Sequence, residues 1–142
     1  MSIKAIHRCL TLLLAGVAAI SDSAFAEEAK LVLLSTAQAG QGGKEFRFEL
    51  TAPTDRPVYY ITDKDTGLAL HEAQEQKGNK WLDVGKPWCA NPAYPMLRPG
   101  KSTRIAVTAP ETNRPWRIGI KLYDKKPAPE VKFTKVWSPP VK

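Results

Sequence analysis

The sequence predicts an all-β protein, an antiparallel sandwich of about seven or eight strands that follows an export signal. Short segments in which apolar and polar residues alternate recur at spacings of about ten residues, as in sandwich strands. All 12 prolines lie beyond residue 26, and no segment there shows the 3.6-residue repeat of an amphipathic helix. With 142 residues, 43% of them hydrophobic, the chain is too apolar for disorder and too short for two ordinary domains.

The first 26 residues have the layout of a signal peptide. Two basic residues precede an apolar run over residues 9–20, and Ala24 and Ala26 then form a small-x-small cleavage pattern. The run is shorter than the roughly 20 residues of a membrane-spanning helix. We therefore predict cleavage after Ala26, with Glu27 as the new N-terminus and a periplasmic or secreted product. An uncleaved N-terminal anchor helix is the alternative.

Removing these residues changes the charge and the cysteine count. The whole chain has 21 basic and 14 acidic residues and a net charge of +7; without residues 1–26 the net charge is +6. His71 and Cys89 become the only histidine and the only cysteine. One cysteine cannot close an internal disulfide, so we expect a core without one, and either a monomer or a Cys89-linked dimer.

The strand pattern is clearest in two segments. In residues 44–51, Phe46, Phe48 and Leu50 alternate with charged residues, and residues 116–123 place four apolar side chains on one face. Further strands are predicted at residues 58–62, 68–75, 80–84, 104–108 and 131–137.

These strands are expected to form one domain over residues 44–137. Residues 27–43 are expected to be a flexible or edge-strand N-terminal segment, with a glycine cluster at residues 40–43 just before the first full strand. Residues 138–142 form a proline-rich tail.

Four short sequences resemble strands and turns of bacterial immunoglobulin-like domains: FRFEL at residues 46–50, VYY at residues 58–60, LRPGKS at residues 97–102 and WRIGI at residues 116–120. The resemblance implies an antiparallel immunoglobulin-like sandwich without the Cys…Trp…Cys signature of antibody domains. It carries no catalytic motif. We therefore expect an exported, non-catalytic binding or accessory module of the cell envelope, which recognises a protein or a glycan through its loops.

The expected recognition surface is the irregular stretch over residues 85–96, with residues 113–116 as a neighbour. Aromatic rings there can stack on sugar faces or anchor a protein partner; the alternative is that they close one end of the core. The candidate binding residues are Trp81, Trp88, Cys89, Tyr94, Arg114 and Trp116. For Trp116, a core position at the start of a strand is the preferred interpretation.

A second candidate function comes from the triplet Arg114-Pro115-Trp116, which resembles a motif of chagasin-type cysteine protease inhibitors. These inhibitors are also small immunoglobulin-like sandwiches. The GQGG sequence at residues 40–43 matches the glycine pattern of that family, and Asn91-Pro92 begins another of its loops, although the order along the chain is reversed. The resemblance implies protease inhibition through these loops.

A third candidate is a small envelope enzyme that uses Cys89 or His71. It requires the fold to bring the two side chains together and a positive charge to stabilise the thiolate. One histidine and one cysteine make a poor zinc site, so no metal is expected, and no cofactor is expected either. Because the basic residues are scattered among acidic ones and the chain is predicted to be exported, no nucleic-acid partner is expected.

Overall fold

The computed structural model describes residues 27–38, 44–85 and 89–142. The export signal, with Ala24 and Ala26 of the predicted cleavage site, lies outside these ranges, as do Trp88 and the GQGG sequence. In the described part of the chain there is no helix, and hence none long and apolar enough to cross a membrane. The all-β class predicted from the sequence is confirmed.

Eleven strands make up the regular structure of the described residues. In chain order they are β1 (Lys30–Gln38), β2 (Lys44–Thr51), β3 (Val58–Tyr59), β4 (Thr62–Asp63), β5 (Glu72–Lys77), β6 (Lys80–Asp83), β7 (Pro92–Ala93), β8 (Met96–Leu97), β9 (Ser102–Thr108), β10 (Trp116–Tyr123) and β11 (Phe133–Trp137). The two clearest predictions from the sequence agree with β2 and β10 at both ends.

Strands β1, β2 and β9 form an antiparallel sheet, called sheet 1 below. The apolar side chains that alternate with charged ones in β2 face the core, since Phe46, Phe48 and Leu50 are buried. Strand β1 is the edge of the sheet, and its register with β2 shifts by a bulge between Leu33 and Ser35. A bulge in an edge strand discourages pairing with the edge of another chain.

The larger sheet, sheet 2, is built around β10. Gly119 pairs with Glu72 of β5 and with Trp137 of β11, so these two strands lie on opposite edges of β10. Tyr123 likewise pairs with Tyr59 of β3 and with Phe133 of β11. Strands β3 and β5 therefore lie end to end along one edge of β10, with β8 beside β3 and β6 beside β5.

A hairpin over residues 61–70 separates β3 from β5 and joins the two sheets. Its arms bridge at Thr62 and Ala69, and Gly67 takes a positive φ of 70° at its turn. The amide of Ala69 donates a 2.9 Å hydrogen bond to the carbonyl of Ala106 in sheet 1. Because this hairpin leaves sheet 2, the strand predicted at residues 68–75 is wrong at both ends, and β5 spans Glu72–Lys77 instead.

The core lies between the inner faces of the two sheets. Its fully buried side chains come from both, and the largest are Phe48, Leu50, Val58, Val107, Ile118, Ile120 and Leu122. No disulfide is present among the described residues, where Cys89 is a free, half-buried cysteine. Burial of apolar surface is the main favourable contribution to such a core.

Candidate functional site

The predicted binding residues occupy three different environments. Trp116 lies in the core with 5% of its surface exposed, and its ring meets that of Phe46 edge-on at 4.8 Å between centroids. Arg114 is exposed and pairs with Glu75 at 3.4 Å. Tyr94 is half-buried, and the ammonium of Lys126 lies 5.4 Å from its ring centroid.

Trp81 belongs to a stack of side chains on the outer face of sheet 2. The guanidinium carbon of Arg117 lies 4.3 Å from the ring centroid of Trp81 and 4.4 Å from that of Trp137. Arg117 therefore sits between the two rings, and its Nε and Nη2 donate hydrogen bonds of 3.0 and 2.8 Å to Oε1 of Gln74. We call Trp81, Arg117 and Trp137 the tryptophan–arginine ladder.

The ladder reaches across sheet 2 because one position in β10 has no side chain. A Cβ atom at Gly119 would lie 2.9 Å from two carbons of the Trp137 ring, closer than real Cβ contacts. The ring therefore packs directly on the backbone of β10. Burial lowers the pKa of Arg117, but its guanidinium remains charged at neutral pH because the ordinary pKa exceeds about 12.

A second line of side chains crosses the same face at the other end of β10. Phe133, Tyr123, Tyr59 and Met96 are successive register partners on β11, β10, β3 and β8. Register partners point to the same face of a sheet. Four neighbouring strands span about 14 Å at the usual strand spacing. We call these four residues the aromatic row.

The aromatic row is accessible to solvent at both of its ends. Phe133 is 48% exposed and Met96 is 49% exposed, while Tyr59 and Tyr123 between them are half-buried. The rings of Tyr123 and Phe133 are 5.7 Å apart and tilted by 54°. Burial, and after it the negative charge of Glu72, raises the pKa of Tyr123, so its hydroxyl stays protonated and can donate a hydrogen bond.

Cationic side chains lie between the ladder and the row. The ammonium of Lys121 is 4.6 Å from the ring centroid of Phe133, and that of Lys135 is 5.2 Å from the ring centroid of Trp137. Glu72 pairs with both lysines. The outer face of sheet 2 thus presents aromatic rings alternating with hydrogen-bond donors.

Sequence reasoning missed the aromatic row. Its members are far apart in the chain, and the sequence signal for three of them is only that an aromatic or large apolar residue stands beside a buried one in a strand, whereas Phe133 has exposed neighbours on both sides. Tyr59, for instance, lies between the buried Val58 and Tyr60. The row becomes visible only when the register between four strands is known.

Cys89 lines a cleft of about 300 Å³ beside the hairpin. The cleft is lined by Asp63, Thr66, Leu68, Ala69, Leu70, His71, Ala73, Val84, Gly85, Cys89 and Thr108. It therefore borders the described ends of the predicted recognition loop, and the cysteine and the histidine of the enzyme hypothesis both line it.

The chemistry of these two side chains differs from that of an activated pair. Burial, and then the negative charge of Asp63, raises the pKa of the Cys89 thiol, whereas a nucleophilic cysteine needs a lowered pKa. Nδ1 of His71 lies 2.9 Å from the carbonyl oxygen of Ala69. That nitrogen therefore carries the proton of the neutral ring, which leaves Nε2 as an acceptor.

Asp63 organises the cleft through its carboxylate. Oδ1 accepts hydrogen bonds from the amides of Asp65 at 2.8 Å and Thr66 at 3.2 Å, which closes the hairpin turn. Oδ2 accepts a 3.2 Å bond from the amide of Ala90, which ties the following loop to the turn. The bond from Asp65 is the main reason that the pKa of Asp63 is lowered; burial opposes it, and the other amides reinforce it.

We expect this carboxylate to make the stability of the protein depend on pH. A carboxylate whose pKa is lower in the folded state stabilises the fold at pH values above its unfolded-state pKa of about 3.9. This stabilisation is lost as the pH falls through the folded-state pKa. Asp63→Asn should therefore be less stable than wild type at pH 7, and the two should converge below pH 4. Urea denaturation between pH 7 and pH 2.5 measures the difference. A constant gap, or the same convergence for the exposed Glu111→Gln, would contradict this.

No group of three or more potential metal ligands occurs among the residues that the structure describes.

Comparisons with known proteins give no family model, no curated protein and no solved structure that matches the chain.

Proposed function

We propose that the chain is an exported immunoglobulin-like module that binds a glycan on the outer face of sheet 2. The observation that carries the proposal is the aromatic row, a line of Phe133, Tyr123, Tyr59 and Met96 that crosses four strands and is exposed at both ends. The role is non-catalytic in this proposal, which the raised pKa of the Cys89 thiol supports.

The strand order supports the immunoglobulin-like assignment. One sheet contains β1, β2 and β9, and the other contains β3, β10 and β11 as neighbours. In the order of the chain these correspond to strands A, B and E facing strands C, F and G of an immunoglobulin domain. The hairpin between β3 and β5 would then be an insertion within strand C, because β3 and β5 lie along the same edge of β10.

The contacts of Glu27 are consistent with export and cleavage after Ala26. The amide of Glu27 donates a 2.8 Å hydrogen bond to Oγ1 of Thr54, and its carbonyl accepts a 3.1 Å bond from the amide of Thr54. Cleavage at the predicted position would leave these contacts and the whole described domain in place.

A glycan suits the aromatic row better than a protein segment does. The row lies on a sheet face, where it offers ring faces and edges to a broad ligand. A sugar ring presents C–H groups on one face, which pack on aromatic rings, and hydroxyls at its rim, which hydrogen-bond to charged groups. Lys121 and the hydroxyl of Tyr123 supply donors beside the rings. A protein anchor would instead be expected to seek a pocket with a desolvated centre.

The test is a double substitution at the exposed ends of the row, Phe133→Ala with Met96→Ala. Purified protein is first applied to an array of envelope polysaccharides, and the strongest ligand is then titrated by calorimetry. We expect the double variant to lose at least about ten-fold in affinity, because a bound ligand would cover the exposed half of both side chains, and burying two such halves contributes about 1.5–3 kcal/mol in total. Its unfolding free energy should change by less than about 1 kcal/mol, because both side chains are half exposed.

The matched control is Val32→Ala with Leu82→Ala, which removes two apolar side chains of similar exposure, 49% and 41%, from other surfaces. It should bind like wild type. The proposal fails if no polysaccharide is retained, if the control loses as much affinity, or if only a protein is captured from the envelope fraction.

A further inference from the structure

We propose that the cleft beside the hairpin binds an organic ammonium group attached to a short apolar body, as in an aralkyl amine. This site is separate from the aromatic row and does not depend on glycan binding. The contacts around Asp63 and the make-up of the cleft walls carry the inference.

The walls of the cleft are mostly apolar. Leu68, Leu70, Ala73 and Val84 line it and are all half-buried, so each keeps surface that a ligand can cover. A volume of about 300 Å³ lies at the lower end of the range for small-molecule sites. Such a volume admits a body of one ring or a short alkyl chain rather than a polymer.

The polar groups of the cleft favour a cation. Asp63 is 8% exposed and lines the cleft, and among the described residues it makes no ion pair with a lysine or arginine. No lysine or arginine of the described ranges lines the cleft either. Within the described lining, Asp63 therefore supplies the negative charge of the cleft, in a chain whose net charge is +7.

The remaining polar groups can accept hydrogen bonds from an ammonium. His71 uses its Nδ1 hydrogen on the carbonyl of Ala69, so its other ring nitrogen is an acceptor when the ring is neutral. Thr66 and Thr108 also line the cleft, and a threonine hydroxyl oxygen can accept a hydrogen bond. A carboxylate ligand would meet the charge of Asp63 and is disfavoured.

Three probes of nearly equal size test the charge preference: phenethylammonium, neutral 2-phenylethanol and anionic 3-phenylpropionate. Calorimetric titration of the full chain should give at least ten-fold tighter binding for the ammonium than for the alcohol, and no binding of the anion. Equal affinity for the ammonium and the alcohol, or preference for the anion, would overturn the proposal.

Cys89 reports where the probe binds, because it lines the cleft. Saturating phenethylammonium should slow its alkylation by iodoacetamide at least five-fold, with the modified cysteine identified by peptide mapping. Binding that leaves the alkylation rate of Cys89 unchanged would place the probe elsewhere and refute the site.

Asp63→Asn should reduce the preference for the ammonium over the alcohol to less than three-fold. The control is Asp124→Asn, which removes an exposed carboxylate from the loop after β10 and should leave the preference unchanged. If Asp63→Asn does not fold, Val84→Lys provides the second variant. Its added cation on the cleft wall should abolish ammonium binding while the melting curve stays cooperative. An equal loss from both aspartate variants, or ammonium binding retained by Val84→Lys, would contradict the proposal.

Discussion

Trp116→Ala is expected to lower the free energy of unfolding by about 3–5 kcal/mol, the usual cost of truncating a buried aromatic side chain. Trp116 is 5% exposed, and its ring packs edge-on against Phe46 of the opposite sheet. Its backbone also pairs with Val141 through bonds of 3.0 and 2.7 Å. Because whole domains are stable by only about 5–15 kcal/mol, the variant should be close to unfolding at room temperature. Urea denaturation followed by circular dichroism measures the change.

Trp116→Phe is the matched control, since it keeps an aromatic ring against Phe46. It should cost clearly less than the alanine variant. A loss below about 1 kcal/mol for Trp116→Ala would show that the ring does not hold the two sheets together. The result also bears on the protease-inhibitor hypothesis, because a tryptophan that must stay in the core cannot enter a protease cleft.

Arg117→Ala is expected to cost about 2–4 kcal/mol, an unusually large effect for a side chain on the outer face of a sheet. The guanidinium contacts two indole rings, each such contact contributing about 0.5–2 kcal/mol, and it hydrogen-bonds twice to Gln74. Trp81 and Trp137 should also become more exposed, with a red shift of tryptophan fluorescence. Denaturation and emission spectra together test the ladder.

Two further variants separate stacking from charge. Arg117→Lys keeps the charge but loses the planar group that stacks between the rings, so it should recover only part of the stability. Arg47→Ala removes an arginine that is 54% exposed and paired with Glu45, and should cost at most about 1 kcal/mol. Equal effects of Arg117→Ala and Arg47→Ala would mean that the ladder contributes nothing beyond a surface ion pair.

The ladder and the aromatic row share one sheet face. The effects of substitutions in the ladder on stability and of substitutions in the row on binding are therefore linked. Gly119 lets Trp137 pack on β10, and Lys135 and Lys121 continue the alternation of rings and cations towards Phe133. Loss of the ladder should therefore weaken the proposed glycan binding indirectly. Loss of the two ends of the row should weaken this binding while the unfolding free energy changes by less than about 1 kcal/mol.

The local pattern of the sequence was sufficient to predict β2 and β10, the strands that carry much of the core. In β2 and β10 burial follows the alternation of apolar and polar neighbours, because the side chains of a strand point to opposite faces; the exception is Gly119, which the Trp137 ring covers. The pattern failed over residues 68–75, where Leu68 and Ala69 contact β9 rather than continue β5. The sequence could not indicate this, since the partner strand lies more than thirty residues away.

The sequence by itself determined the all-β class, the two central strands and the preferred core position of Trp116, because these depend on contacts that alternate along a single segment. Only the tertiary structure decided which outward-facing residues share a surface. The aromatic row, the ladder and the cleft each join side chains from separate strands or loops, and the register between those strands is fixed by the closing of the two sheets over one core.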